Sequence, residues 1–287
     1  MVISSDQAAV AVTASEWDID RVDIDAYRRR TGYDGPLAPT EATLFALHRA
    51  HAETIPFENL DIPLGRGISL DLDDIQDKLV RQRRGGYCYE HNLLFAAVLE
   101  RAGFAVRRLV ARVQPDKPGP RTHMTLNVSA GGQTWLADVG FGAALLEPVP
   151  LVDGAIARQG DWTNGVERQS DGTWRLRTLS PDGWSDLYGF TQESQRPNDY
   201  LVYNHFVSTH PASPFVGQIV AIRITPRARY TLRGRSLTTV WPDGGSEQRE
   251  LRPAEVIGVL DDTFGIALGA EDATRLTPIA AEARTSE

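Results

Sequence analysis

The segment that decides the fold runs from Arg84 to Asn92 and reads Arg-Gly-Gly-Tyr-Cys-Tyr-Glu-His-Asn. Its two glycines end one helical pattern, and a second pattern begins at once near Cys88 and ends at Gly103. Cys88 therefore lies in the first turn of a predicted helix, where unpaired amides and the helix dipole favour a thiolate over a thiol. Two interpretations follow: Cys88 is a small buried side chain, or it is a reactive nucleophile.

Two further helices are predicted upstream of the glycines. The first covers residues 40–53, with Thr40 as its N-cap and with Leu44 and Leu47 on one face. The second begins after Asp71, which is a good N-cap, and ends in a basic turn before Gly85. The first third of the chain is therefore predicted to be helical.

Downstream of Gly103 the hydrophobic period changes from that of a helix to that of a strand. Strands are predicted over residues 104–113, 123–128, 134–139, 173–179, 184–190, 218–225 and 229–232, and a helix over residues 253–259. Clusters of Gly, Pro and Asp separate them. The pattern predicts an α+β protein with an antiparallel, barrel-like middle, and residues 280–287 are expected to be frayed.

His123 is the strongest candidate for a base that would activate the thiol. It begins one predicted strand, Asp138 ends the next, and Ala130-Gly131-Gly132 lies between them. A two-residue turn at Ala130 and Gly131 would make His123 and Asp138 direct cross-strand neighbours. A register shift of two residues would leave them diagonal on the same face, and a shift of one would separate them.

Cys88, His123 and Asp138 together would form a nucleophile, a general base and a carboxylate that orients the base. The carboxylate lies in an apolar run between Ala137 and Val139, where it needs a hydrogen-bond partner. An imidazole is a suitable partner. The alternative is an ordinary cross-strand polar pair.

The other histidines are weaker candidates. His48 and His51 lie three residues apart on a predicted helix and are expected to form an exposed pair rather than a metal site, which would need further ligands. His91 lies one turn after Cys88 and is expected to cap or to pack there. The remaining two, which have no clear pattern around them, are His205 and His210.

Composition excludes several classes of function. The 287 residues are 41% hydrophobic and 24% charged, which is typical of a globular protein. The formal net charge is −8, so no overall positive field is available to bind nucleic acid or an anionic membrane. The longest apolar run, residues 93–99, is far shorter than the roughly 20 residues that span a bilayer. The single cysteine excludes an intramolecular disulfide and a multi-thiolate zinc site, and no metal is expected.

The segment from Arg84 to Asn92 resembles the signature of the arylamine N-acetyltransferases of bacterial type. Three further segments are similar to blocks of the same family. They are Pro56-Phe57-Glu58-Asn59-Leu60, Thr122-His123-Met124-Thr125 and Trp135-Leu136-Ala137-Asp138-Val139-Gly140-Phe141-Gly142. Four blocks in the family's order would rarely arise by chance, whereas an isolated Gly-Gly-x-Cys would mean little.

The resemblance implies the fold and the reaction of this family. The fold would be a helical bundle over residues 1–103, an antiparallel β-barrel over 104–206 and an α/β lid over 207–287, around a cysteine-protease-like core. The catalytic triad would be Cys88, His123 and Asp138. The reaction would be ping-pong transfer of an acetyl group from acetyl-CoA, as acyl-donor cosubstrate, through an acetyl-cysteine to an arylamine, an arylhydrazine or an N-hydroxyarylamine.

The resemblance also implies which residues bind the substrates. The apolar slot for the aromatic acceptor would be formed by Phe57, Phe141 and Phe215, although packing in the core is the usual role of a phenylalanine. Coenzyme A would be contacted by Gly140, Gly142 and Trp241. The amides of residues 139–142 could face its pyrophosphate. A basic stretch is a second candidate for the phosphates, and its arginines are Arg223, Arg227, Arg229, Arg233 and Arg235.

Other functions remain open at this point. A thiol amidase or a transglutaminase-like enzyme would use the same triad with water or another amine as acyl acceptor. A binding protein without activity is a third class, and the presence of all three triad residues argues against it. Residues 1–20 carry four acidic side chains and neither Lys nor Arg, unlike a secretory leader, which predicts a cytoplasmic location. The natural acceptor, the acyl-chain length of the donor and the oligomeric state, a homodimer included, are left open.

Overall fold

The structure, a computed structural model, describes residues 16–282. Helices form the first part of the chain, as the sequence predicts. Their bounds are α1 Ile24–Thr31, α2 Glu41–Thr54, α3 Leu72–Gln76, which continues as a π-helical turn over Asp77–Arg81, and α4 Cys88–Arg101. Within residues 16–282, no helix has the length and apolar character needed to cross a membrane.

The helices begin where the local sequence predicts. The Thr40 hydroxyl accepts a hydrogen bond from the amide of Thr43 at 3.2 Å. The Asp71 carboxylate accepts one from the amide of Asp73 at 2.9 Å. Both caps satisfy amides that have no partner within the helix. Helix α4 begins at Cys88, so the prediction that this residue occupies a first helical turn is confirmed.

Eight antiparallel strands form the larger sheet, in the order β5-β4-β3-β2-β9-β8-β7-β6. Their bounds are β2 Ala105–Val113, β3 His123–Ala130, β4 Gln133–Ala137, β5 Val149–Pro150, β6 Ile156–Gln159, β7 Trp162–Arg168, β8 Trp174–Ser180 and β9 Gly183–Phe190. The outer strands β5 and β6 lie close together, so the sheet is nearly closed into a barrel. Strands β5 to β7 were not predicted, because two are very short and Asn164 and Gly165 interrupt the alternation in the third.

The β3–β4 hairpin has a register two residues away from the predicted one. Its turn is Gly131-Gly132, with φ of 61° and 77°, and Ala130 pairs with Gln133. A tight hairpin turn of this kind requires positive φ at both central residues, which two glycines adopt without strain. His123 and Asp138 are therefore diagonal on one face of the hairpin rather than directly opposite each other.

A second antiparallel sheet has five strands in the order β1-β10-β11-β12-β13. Their bounds are β1 Phe57–Glu58, β10 Val220–Ile224, β11 Arg229–Arg233, β12 Ser236–Val240 and β13 Ser246–Glu250. Helices α6 (Pro253–Asp262) and α7 (Ala270–Glu282) cover one face of this sheet. The edge strand β1 comes from the helical part of the chain and pairs Phe57 with Ile222. Ala280 is buried in α7, so the expected fraying is wrong at that residue, whereas residues 283–287 lie outside the described range.

Helix α5, Pro197–Thr209, has no counterpart in the sequence prediction. Its signal is a proline in the first turn followed by Asp199, whose carboxylate accepts a hydrogen bond from the amide of Arg196 at 2.7 Å. The helix packs Tyr200 and Val207 into the core that also contains α4. The expected division at residues 103/104 lies between α4 and β2, and that at 206/207 falls within α5. The three-part division stays a prediction.

Candidate active site

Cys88 is the first residue of α4 and is 3% exposed. Gly85 and Gly86 precede it. Neither has a positive φ, so glycine is required at these positions by the space available and not by the backbone conformation. A Cβ on Gly85 would lie 2.1 Å from the carbonyl oxygen of Pro56, and one on Gly86 would lie 2.8 Å from the Glu90 carboxylate. The turn into α4 therefore depends on two positions where a side chain would collide with its surroundings.

A network of charged side chains holds the start of α4. Glu90 accepts hydrogen bonds from the N-cap amide of the helix and from Lys78 Nζ, both at 2.9 Å. Lys78 also contacts Asp61 at 2.6 Å, and Arg84 Nε donates to Glu58 at 2.8 Å. Burial alone would raise the pKa of Asp61, but Lys78 and Arg84 outweigh it and lower that pKa. These paired charges therefore hold the signature segment in place at the start of α4.

His123 and Asp138 form the central contact of the site. His123 Nε2 donates to Asp138 Oδ2 at 2.6 Å, and both residues are buried. Because Nε2 is bonded to the carboxylate, Nδ1 is the ring nitrogen left for the Cys88 thiol, which also acts on the pKa of His123. The Cys88 sulfur lies 3.8 Å from the carbonyl oxygen of Thr122. The structure therefore brings the three predicted triad residues together.

The surroundings of His123 stabilise its protonated form. Burial alone would lower the pKa of His123, but the Asp138 carboxylate and hydrogen bonds to Asp138 and Cys88 raise it to about 10. The pKa of Asp138 is lowered, because His123 and neighbouring donors outweigh the effect of burial. An imidazolium beside a cysteine sulfur stabilises the thiolate, which is the nucleophilic form.

Asp138 is bonded through both of its carboxylate oxygens. While Oδ2 faces the imidazole, Oδ1 accepts hydrogen bonds from Asn92 Nδ2 at 2.9 Å, from the amide of Gly140 at 2.9 Å and from the amide of Phe141 at 3.1 Å. A buried carboxylate with this many donors stays ionised and keeps one orientation.

Aromatic rings surround the triad in two groups. Phe57 and Phe215 contact each other with 5.6 Å between ring centroids. Phe141 packs edge-on against the His123 ring at 5.1 Å. The two groups adjoin at Gly142, where a Cβ would lie 2.7 Å from the Cβ of Phe57. Of the three phenylalanines expected in the slot, Phe141 contacts the base, and Phe57 and Phe215 contact each other on the other side of Gly142.

Comparison with known proteins identifies the family. The model of the N-acetyltransferase family matches residues 41–273. The arylamine N-acetyltransferase of Mycobacterium tuberculosis is 41% identical over 255 residues, which cover 85% of this chain and 89% of that protein. This chain belongs to the arylamine N-acetyltransferase family.

Solved structures of the arylamine N-acetyltransferase family agree with this assignment. The enzyme of Mycobacterium abscessus superposes with a TM-score of 0.89 at 39% identity and covers 94% of this chain and 98% of its own. The enzyme of Mycobacterium marinum, solved in complex with CoA, has a TM-score of 0.85 at 37% identity and covers 91% and 99%. The family resemblance and the mixed α+β fold predicted from the sequence are confirmed, and the protein is an acyltransferase.

The expectation of an exposed pair at His48 and His51 is wrong, because both side chains are fully buried. The Tyr27 hydroxyl bonds to His51 Nδ1 at 2.9 Å, His51 Nε2 to His91 Nδ1 at 2.9 Å, and His91 Nε2 to the Pro56 carbonyl oxygen at 3.1 Å. A carbonyl can only accept, so every donor in this series points toward Pro56. An uncharged imidazole whose two nitrogens are both hydrogen-bonded can be buried, although histidine is treated as a polar residue when a sequence is analysed. Within residues 16–282, no group of three or more His, Cys, Asp or Glu side chains is placed to hold a metal ion.

The loop after β4 uses its glycines for close packing. The amides of Gly140 and Phe141 donate hydrogen bonds to Asp138. The expectation that they face the pyrophosphate of coenzyme A is therefore wrong. A Cβ on Gly140 would lie 2.9 Å from the Cα of Cys88 and 2.7 Å from its carbonyl oxygen. The absence of a side chain at Gly140 allows the loop to lie directly against α4.

Sequence reasoning missed Tyr188. Its ring lies between His123, at 4.9 Å, and Phe141, at 5.4 Å, and its hydroxyl lies 3.2 Å from Thr125 Oγ1. Strand β9 was predicted, but the residue reaches the site through the pairing of β9 with β2, which pairs Val113 with Tyr188. No local signal in the sequence specifies that pairing.

Proposed function

We propose that the protein transfers an acetyl group from acetyl-CoA to an arylamine, an arylhydrazine or an N-hydroxyarylamine through an acetyl-Cys88 intermediate. The observation that carries the proposal is the buried 2.6 Å hydrogen bond between His123 and Asp138 next to Cys88, the first residue of α4. Family membership supports the same reaction, because a relative that matches most of the chain is named for it and a structural neighbour was solved with CoA.

Acylation begins from the Cys88 thiolate, whose proton is held by the imidazolium of His123. The thiolate attacks the carbonyl carbon of the thioester, a C–S bond forms, and the carbonyl oxygen becomes an oxyanion. The amide of Cys88 is a suitable donor to that oxyanion, because the first amides of a helix have no partner within it. The bond to the CoA sulfur then breaks, and CoA leaves as a thiol with the proton from His123.

Deacylation uses the same groups in the reverse direction. The neutral nitrogen of the aromatic acceptor attacks the acetyl carbon, and His123 accepts the proton that this nitrogen loses. The bond to the Cys88 sulfur breaks and regenerates the thiolate beside the imidazolium. Asp138 stays ionised throughout, since it stabilises the imidazolium and holds its orientation.

The aromatic slot favours an aryl acceptor over water. Phe57 is buried, and Phe141 and Phe215 are half-buried, so these three rings offer an apolar surface to an acceptor. An aromatic ring gains free energy by stacking against such rings, whereas water finds no hydrogen-bond partner on them. The slot therefore raises the share of acetyl groups that reach an amine.

The five-stranded sheet offers a path for coenzyme A that starts at this slot. Phe57, Ile222, Thr231 and Thr238 are successive cross-strand partners in one row. Cross-strand partners share a face, so the row leads outward from the slot and becomes more polar with distance. The pantetheine arm, which carries amides and methyl groups, matches this change in character.

Two arginines on the same face of β11 flank this row. Arg229 and Arg233 make no ion pair with another described side chain. The Arg229 guanidinium lies over the Trp162 ring, 4.9 Å from its centroid, and its Nε is buried without a hydrogen-bond partner. Burial lowers the pKa of both guanidinium groups. A phosphate would supply the missing partner. Trp241, the proposed contact of coenzyme A, follows Val240, which pairs with Arg229.

The proposal is tested by intact mass spectrometry of the protein incubated with acetyl-CoA and no acceptor. We expect one acetyl group on the only cysteine, which disappears when an arylhydrazine or an arylamine is added. Cys88→Ser, which keeps the volume of the site, is the matched control and should carry no acetyl group. Absence of both an adduct and free CoA release in the unmodified protein would contradict the proposal.

If neither an adduct nor release of CoA is observed, the next activity to test is that of a thiol amidase or a transglutaminase-like enzyme. The same triad would then release ammonia or an amine from an amide while acetyl-CoA stays intact. A cytoplasmic location and a homodimer stay predictions, and cell fractionation and size-exclusion chromatography with light scattering check them.

A further inference from the structure

His48 is a buried histidine of α2 that has no part in the mechanism above. Its Nε2 accepts a hydrogen bond from the amide of Asp138 at 3.1 Å, and its Nδ1 lies 3.1 Å from the carbonyl oxygen of Leu146. Its ring packs edge-on against Phe95 of α4, with 5.6 Å between the ring centroids. One side chain thus contacts the triad aspartate, the helix of the nucleophile and the end of the loop that carries Phe141.

The two hydrogen bonds determine the protonation of this ring. An amide can only donate, so Nε2 carries no proton, and a carbonyl can only accept, so Nδ1 carries one. Burial lowers the pKa of His48 to about 4, against weaker opposing effects from Leu146 and Asp138. The ring is therefore a neutral Nδ1–H tautomer at neutral pH.

We propose that His48 is a positioning residue of the triad, which clamps both ends of the loop over residues 138–146. The inference rests on the proposed function, because it assigns His48 to the geometry of Asp138 in that reaction. The amides of Gly140 and Phe141 inside the loop bond to the carboxylate of Asp138. The loop and the carboxylate are thus one unit, and His48 fixes that unit relative to α4.

Loss of the His48 hydrogen bond to Asp138 would affect the Cys88 sulfur through His123. If the main chain of Asp138 shifts, the 2.6 Å hydrogen bond to His123 lengthens and the imidazolium loses stabilisation. A less stable imidazolium gives less electrostatic support to the thiolate of Cys88. The same shift moves Phe141, so the aromatic slot and the nucleophile change together.

Two substitutions separate the two bonds of His48. The Nδ2 of an asparagine occupies nearly the place of imidazole Nδ1, and the Oε1 of a glutamine can take the place of Nε2. His48→Asn therefore keeps the donor to Leu146 and removes the acceptor for the Asp138 amide. His48→Gln keeps that acceptor and removes the donor. His51→Asn is the matched control, because His51 is equally buried on the same helix and, among residues 16–282, its side chain bonds to Tyr27 and His91 and not to Asp138.

The readout is the rate at which iodoacetamide alkylates the single cysteine between pH 5 and pH 10, which needs neither acetyl-CoA nor an acceptor. We expect His48→Asn to move the midpoint of this profile to higher pH and to lower kcat/KM for acetyl-CoA by up to about a hundredfold. His48→Gln and His51→Asn should keep the midpoint of the unmodified protein. Equal midpoints in all four proteins would overturn the proposal even if stability falls. A higher midpoint in His48→Asn together with no acetyl transfer by the unmodified protein would support the positioning role and contradict the proposed reaction.

A measurement on the unmodified protein keeps the test independent of variant folding. Nitrogen NMR of labelled histidine should show His48 as the neutral Nδ1–H tautomer between pH 5 and pH 9, and the Asp138 amide should exchange slowly with solvent. A doubly protonated His48 ring, or the Nε2–H tautomer, would overturn the proposal without any substitution.

Discussion

His123 and Asp138 are joined by a 2.6 Å hydrogen bond although they lie diagonally, not directly opposite, across the β3–β4 hairpin. Asp138 lies just beyond the last paired residue of β4, Ala137, so its main chain is free to bend back. That position lets the amides of the following loop reach the carboxylate. The hydrogen bond therefore joins a strand residue to the start of a loop.

Asp138→Asn is expected to abolish most of the activity while the fold is kept. The new amide oxygen can still accept from Gly140, but the amide nitrogen would donate to His123 Nε2, which places the ring proton on Nδ1 and prevents it from taking the Cys88 proton. We expect kcat to fall by about 10⁴-fold. Steady-state kinetics and circular dichroism check this. Asp182→Asn, in an exposed turn, is the control and should change neither.

The stability of the folded protein should depend on pH through the protonation of His123. Its pKa is raised in the folded protein from 6.5 to about 10, so the folded state holds the proton more tightly than the unfolded state. This stabilisation is fully present below about pH 6.5 and is lost as the pH rises through about 10. Thermal unfolding between pH 6 and pH 10 should show a fall in Tm that is smaller in His123→Gln. Parallel curves for the two proteins would contradict the assigned pKa.

Gly140→Ala is expected to separate the loop of Asp138 from α4. The new methyl group would meet the main chain of Cys88 within 3 Å, and main chain cannot move aside as a flexible side chain can. We expect a loss of about 1–3 kcal/mol in the free energy of unfolding and a fall in kcat. Gly258→Ala, in α6, is the control, since a Cβ there meets nothing within 4 Å and should be neutral or stabilising. Urea denaturation and kinetics measure both effects.

Arg84→Met is expected to destabilise the protein strongly. It leaves the fully buried Glu58 without its hydrogen-bonded partner, and loss of one member of a buried ion pair costs about 3–5 kcal/mol. Arg81→Met, a few residues earlier, removes an exposed contact with Asp77 that is worth roughly 0.3–0.5 kcal/mol. Denaturant unfolding should separate the two variants clearly. Similar unfolding curves would show that the network around Arg84 is not what holds the start of α4.

Arg229→Gln is expected to raise the KM for acetyl-CoA by about tenfold, because a charge-assisted hydrogen bond to phosphate is worth about 1.5–3 kcal/mol. The KM for the aromatic acceptor should stay the same, since the slot lies at the other end of the row that starts at Phe57. Arg227→Gln is the control, because Arg227 is exposed on the turn before β11. Initial rates over a range of acetyl-CoA concentrations, at low and high salt, provide the test. An unchanged KM would remove Arg229 from the path of coenzyme A.

Much of this site was predictable because its signals are local. The cap at Thr40, the glycines before Cys88 and the apolar run around Asp138 each depend on a few neighbouring residues. The hairpin placed His123 and Asp138 on one face, and the error of two residues in its turn left that inference intact because the side-chain period of a strand is two.

The rest depended on contacts between distant parts of the chain. Tyr188 reaches His123 through the pairing of β9 with β2, and His48 reaches Asp138 across 90 residues. His48 and His51 were expected to be exposed because their burial is stabilised by partners that no local pattern reveals. The short strand β1 was missed for the same reason, since only its pairing with β10 defines it.

During synthesis on the ribosome, strand β1 is made long before β10, the strand with which it pairs. Asn59, which follows β1, bonds to Val220 across 161 residues. At about 5–20 residues per second, roughly 8–30 s of synthesis separate the two sides of this contact. A nascent chain can therefore form the helix of its nucleophile, and even the hairpin of its base, well before Phe57 is held by the sheet that completes the slot. The acceptor slot is therefore among the last parts of the site to be completed as the chain is synthesised.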